Sequence, residues 1–199
     1  MEKTDIVEQT KLAFDFIQRL YLETSYFIKE VEGMLQQEEE RFTILKPAGY
    51  AISAFRSVGL ESALVEQWCI RKGAVFFVAK EETDLVRGQT VTKIKPNLKL
   101  IVVRFVLNDK DLDAPEVWAG VVSDIAQKKG KEYSKFENHI WKFVYHEKKI
   151  FRDVRENAYE DGECAFKVNL FKRPLYDIKN AEDIQREIVE PVLTMYRAK

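Results

Sequence analysis

The stretch DIVEQTKLAFDFIQRLYLETSYFIKEVEGMLQQEEE, Asp5 to Glu40, decides the fold. Val7, Phe14, Tyr21, Ile28 and Leu35 recur every seven residues, each preceded by Ile6, Ala13, Leu20, Phe27 or Met34, with Ile17 and Val31 between them. Apolar residues at that spacing share one side of an α-helix, whereas a strand would alternate them between faces. No Pro interrupts the run, and its one glycine, Gly33, costs roughly 1 kcal/mol relative to Ala in a helix interior. The pattern predicts one long amphipathic helix.

Its length makes a second argument. At ~1.5 Å of rise per residue the stretch spans roughly 54 Å, against a radius of gyration of roughly 16 Å for a compact chain of this size. Such a helix either bends near Thr24-Ser25 or Gly33, or overhangs and finds a second surface, most simply a copy of itself about a twofold axis. Leu12, Phe16, Leu22 and Tyr26 widen the apolar side in the middle and narrow the polar strip to Asp15, Gln18, Arg19, Glu23 and Lys29, so the middle is expected to pack on the protein's own sheet. Thr10 and Thr24 interrupt a clean coiled-coil seam.

Composition bounds what surrounds the helix. In 199 residues, 46% hydrophobic and 12% aromatic, there is material for a sizeable core and no sign of disorder. Lys plus Arg number 32 against 33 Asp plus Glu, so no global field draws nucleic acid or a membrane surface. Cys69 and Cys164 lie in strand-like runs without metal-ligand spacing and read as small buried hydrophobes, which suits a reducing cytoplasm. The N-terminus lacks the apolar core of a signal peptide, and no run reaches the ~20 apolar residues of a membrane span. The expectation is a cytoplasmic, non-membrane protein without a cofactor or metal.

After the charged run Gln36 to Arg41, strands follow. Phe42 to Leu45 is a short one, closed by Pro47 and Gly49, and Tyr50 to Phe55 resumes the sheet. Leu64 to Ile70 and Ala74 to Lys80 read as a hairpin turning at Arg71-Lys72-Gly73, its second arm apolar enough at Val75 to Val78 to be covered on both faces. Glu81 to Pro96 reads as a loop. Leu98 to Leu107, rich in β-branched residues, is the central strand, and Val117 to Ile125 returns beside it with Val117, Ala119, Val121 and Ile125 on one side. Ser134 to Lys149 reads as a helix with a capping box, although it also alternates as a strand. Asn157 to Gly162 is a turn-rich loop, and Glu163 to Phe171 a strand with Cys164, Phe166, Val168 and Leu170 inward. Asn180 caps a last helix with stripe Ile184, Ile188, Val192 and Met195, which Pro191 should break or kink. Helices at the ends and hairpin-linked strands between them define a single α+β domain over 1–199: an antiparallel meander packed on the long N-terminal helix and a C-terminal helix.

Few residues point to chemistry. His139 and His146 stand seven apart, too far to share a metal on a helix. A metal-dependent nuclease sets an acid upstream of D/E-x-K on a strand, its carboxylates holding Mg²⁺. Asp177-Ile178-Lys179 and Glu147-Lys148-Lys149 match the short half, with Asp161 or Asp153 as the partner acid, so Asp161, Asp177 and Lys179 are the catalytic candidates. Nucleic-acid binding would rest on Lys128, Lys129, Lys131, Lys148 and Lys149 beside Trp141, with Glu132, Glu137 and Glu147 interleaved. Trp68, Trp118, Tyr50 and Arg104 are candidates to line a small-ligand pocket. The overlong helix and the stock of 13 Phe, 8 Tyr and 3 Trp favour a non-catalytic interaction or regulatory module, a homodimer through Asp5 to Glu40.

Overall fold

A computed structural model describes residues 3–45, 71–82, 98–109, 111–127, 157–160 and 164–198. Helix α1 (Lys3–Gln37) runs without a break. Neither Gly33 nor Thr24-Ser25 interrupts it: the Thr24 hydroxyl donates to the Leu20 carbonyl at 2.8 Å, inside the helix. It ends at the charged run, where Arg41 takes a positive φ of 50° and the Phe42 N–H donates to the Leu35 carbonyl at 3.2 Å.

The described strands are β1 (Thr43–Ile44), β2 (Lys72–Val78), β3 (Leu100–Val106), β4 (Glu116–Gln127), β5 (Asn157–Glu160) and β6 (Cys164–Pro174). They form one antiparallel sheet in the order β1-β2-β3-β4-β6-β5. The run LIVVRFV is buried at every position and sits between β2 and β4, the central strand its composition indicated. The chain closes with α2 (Ala181–Ile184), a π-helical turn (Gln185–Val189) and α3 (Glu190–Arg197).

Both sheet faces are apolar. One carries Val75, Phe77, Ile101, Val103, Phe105, Val117, Ala119 and Val121, against which Phe27, Ile28, Val31 and Leu35 of α1 and Ile184, Ile188, Val192 and Leu193 of the closing helices pack. Phe27 meets Phe105 edge to face at 5.3 Å, and Phe42 meets Tyr196 likewise at 4.9 Å. The other face gathers Phe76, Val78, Leu100, Val102, Val122, Phe166, Val168 and Leu170. The two-sided burial of β2 follows, as do the inward positions of Phe166, Val168 and Leu170.

Four elements depart from the sequence reading. Lys72 and Gly73, expected in a turn, are already paired with Val106 and Phe105. Ile125 packs on the opposite face from Val117, Ala119 and Val121, because the β4–β6 register shifts between Ser123 and Ala126 around Asp124, at φ 52°, and one extra residue inverts the alternation. Asn157–Glu160, expected as loop, is a strand whose Tyr159 stacks on Phe166 at 4.7 Å. Pro191 does not end the last helix: the Glu190 N–H donates to the Gln185 carbonyl, five residues back, and this wider turn accommodates the missing N–H of the following proline. Tyr50 to Phe55, Leu64 to Ile70, most of Glu81 to Pro96, and Ser134 to Lys149 lie outside the described residues.

Candidate functional site

The sheet uses only the C-terminal part of α1, and not the middle as the widened apolar stripe led one to expect: Leu12, Phe16, Leu22 and Tyr26 lie on sides of the helix that the sheet does not reach and are 48–61% exposed. From Asp5 to Phe16 every side chain is exposed, including Ile6, Val7, Leu12, Phe14 and Phe16; the last three are each 61% exposed. Burial begins partially at Ile17, Leu20, Tyr21 and Thr24 and is full at Phe27, Ile28, Val31 and Leu35. The heptad stripe is therefore one pattern with two environments: a core at one end and an uncovered apolar face at the other. Thr10, which interrupts that face in sequence, donates its hydroxyl to the Ile6 carbonyl at 2.7 Å, so its polar group is satisfied within the helix.

Where the uncovered part ends, a groove of about 520 Å³ opens between α1 and the segment entering α2. Phe16, Leu20 and Phe27 form one wall, and Leu175, Ile178 and Ile184 the other. Arg19, Glu23, Glu30 and Lys179 also line it, with Tyr26 and Tyr176 more than half exposed beside them.

Local sequence builds the second wall. Pro174 ends β6, and Leu175–Asp177 turn once as a 3₁₀ helix, the Ile178 N–H donating to the Leu175 carbonyl at 3.3 Å. Asn180 Oδ1 then accepts the Asp183 N–H at 2.9 Å, while Asp183 Oδ2 accepts the Lys179 N–H at 3.1 Å, a reciprocal cap that fixes the helix start. The Lys179 N–H, with Arg186 beside it, holds the Asp183 carboxyl below the usual aspartate range. Arg173 donates to Glu187 at 3.0 Å and ties the end of β6 to the π-helical turn.

The sequence candidates separate accordingly. Asp177 is exposed at the end of the 3₁₀ turn and Lys179 lies at the groove; because Asp177-Ile178-Lys179 is a turn and not a strand, it does not present the acid and the lysine as a nuclease strand would. Asp161, Lys128, Lys129, Lys131, Trp141, Lys148 and Lys149 lie outside the described residues, as do Asp153, Glu147, His139, His146, Trp68 and Tyr50. Among the described residues no group of three or more His, Cys, Asp or Glu is placed to hold a metal ion.

Arg104 and Trp118 do come together, on the sheet face opposite α1. The Arg104 guanidinium stands 5.1 Å from the Trp118 ring centre and the Lys172 ammonium 5.9 Å from it. Glu116 accepts the Trp118 Nε1–H at 2.8 Å and a hydrogen bond from the Lys172 Nζ ammonium at 2.9 Å, and Asp109 pairs with Lys72. Arg104 is 5% exposed; burial pushes its pKa down to about 10, opposed by the charges of Asp109 and Glu116. These side chains are engaged with one another, which suits a packed polar cluster and not a ligand wall.

Leu175, Tyr176 and Ile178 were not foreseen as site residues. The signal was three apolar side chains within four positions between a strand-ending Pro and a helix cap, where neither strand nor helix could bury them.

The fold defines an α+β protein whose described α-helices pack on one face of an antiparallel sheet. No protein-family model, curated protein or solved structure matches the chain. Among the described residues no helix is long and apolar enough to cross a membrane.

Proposed function

We propose that the protein is a non-catalytic interaction module that self-associates through the N-terminal half of α1. The observation that carries this reading is the unbroken exposure of Asp5 to Phe16 on a helix whose apolar stripe continues into the core. An isolated helix of fewer than ~12–15 residues is marginal in water, so this half gains most by packing. The exposed Ile6, Val7, Leu12, Phe14 and Phe16 are the apolar side chains that this half leaves for a partner to cover.

Sedimentation velocity at micromolar concentration tests the reading. The expected result is a dimer, converted to monomer by Phe16→Asp with no loss of melting temperature in the dilute protein, since Phe16 is outside the core. A wild-type chain that stays monomeric over that range removes the proposal.

A further inference from the structure

We infer that the groove between α1 and Leu175–Ile184 is the seat for the N-terminal half of α1 from a second copy, exchanged reciprocally about a twofold axis near Phe16. This rests on the self-association proposed above and specifies its geometry.

Leu12, Phe16 and Leu20 are spaced four apart and form one ridge on α1. Phe16 and Leu20 are groove wall, whereas Leu12 lies one turn beyond it and is 61% exposed. The groove starts where the fully exposed half stops. At ~1.5 Å per residue, its α1 wall from Phe16 to Glu30 runs roughly 21 Å and the free half from Asp5 to Phe16 roughly 17 Å, so one fits along the other.

Direction follows from these positions. Parallel pairing would lay exposed half on exposed half and leave both grooves open. Antiparallel pairing about Phe16 places the free half of each helix along the groove of its partner, with Phe16 against its own copy and Leu12 beside Leu20 of the other chain. It also brings Asp15 of each chain within about one turn, ~5.4 Å, of the other's Arg19. Among the described residues neither of these two side chains takes an ion pair within the chain.

The test compares the wild type with Ala181→Trp, which fills the groove from an exposed position without touching the free half of α1. Sedimentation equilibrium is expected to show dimerisation weakened about tenfold or more, a loss of roughly 1.4 kcal/mol, with an unchanged melt in the dilute protein. In a second measurement, single-cysteine chains carrying Leu12→Cys or Leu20→Cys, with Cys69 and Cys164 replaced by Ser, are mixed and oxidised. Cross-linking between the two kinds of chain supports the exchange. A dimer indifferent to Ala181→Trp, or one linking Leu12→Cys only to itself, overturns the groove while leaving self-association standing. An apolar dye bound one per chain in a dimer of undiminished affinity assigns the groove to a small ligand and overturns it also.

Discussion

Arg197 and Glu40, 157 positions apart in the chain, meet through two hydrogen bonds, from Nε to Oε1 at 2.8 Å and from Nη2 to Oε2 at 2.7 Å. The same Nη2 donates to Glu38 Oε2 at 2.9 Å. The last helical turn is thereby fastened to the turn that follows α1. Lys99 completes the closure by donating to the carbonyls of Tyr196 and Ala198, each at 3.0 Å, where a helix end has no intrahelical donors left.

The pair makes stability depend on acid. The Arg197 guanidinium holds the Glu40 carboxyl below its usual value of 4.5. A carboxyl depressed in this way stabilises the fold above its unfolded pKa and loses that contribution as pH falls through the folded one. Glu40→Gln should therefore lose up to about 1 kcal/mol near neutral pH, the partial exposure of Arg197 limiting the effect. Denaturant melts across a pH series should show wild type and variant converging in acid below that usual value. A constant gap at all pH would refute it.

Leucines at the two ends of α1 test how far the core reaches. Leu35 is fully buried between sheet and closing helices, so Leu35→Ala should cost about 2–5 kcal/mol. Leu12→Ala, on the same helix, should change the stability of the dilute protein by less than about 0.5 kcal/mol. Urea titrations decide; comparable losses at both sites would mean that the first half of α1 is anchored.

Two glycines should respond with opposite signs. A Cβ on Gly120 would lie 2.0 Å from the Asn169 carbonyl oxygen, inside the β4–β6 pairing, so Gly120→Ala must push β4 from β6 and should cost about 3 kcal/mol or more. A Cβ on Gly33 meets nothing within 4 Å, so Gly33→Ala should add about 0.5–1 kcal/mol through helix propensity. Thermal melts of the two variants on either side of the wild type would bear this out, and a stable Gly120→Ala protein would not.

The stripe from Val7 to Leu35, the apolar run of β3 and the Asn180 cap were legible because each follows from local spacing. The point along α1 at which cover ceases was not, since Phe14 and Ile28 hold equivalent heptad positions and differ only in what stands opposite. The bulge at Asp124 carries no glycine to announce its positive φ, and aspartate tolerates that region. β5 reads as loop because Asn157 and Glu160 are poor strand formers; its pairing with β6 overrides them. The groove could not be read because its walls lie about 150 residues apart in the chain and meet through tertiary packing, while most of the basic and acidic candidates fall outside the described residues.

Hydrogen exchange should resolve α1 into two halves. Amides from Phe27 to Leu35 open only with the core they lie against, so they should exchange slowly at every concentration. Amides from Asp5 to Phe16 lie in a stretch whose side chains are all exposed, and in dilute protein they should exchange near the rate of a fraying helix. If the second copy covers this half, raising the protein concentration slows exchange there and along the groove wall from Phe16 to Tyr26, while the rates from Phe27 to Leu35, already set by the core, stay fixed. Binding adds protection only to segments whose opening breaks the complex, so the change must be confined to these stretches. Uniform protection along α1 at low concentration would contradict the two-environment reading of the helix, and concentration-independent rates from Asp5 to Phe16 would contradict its association.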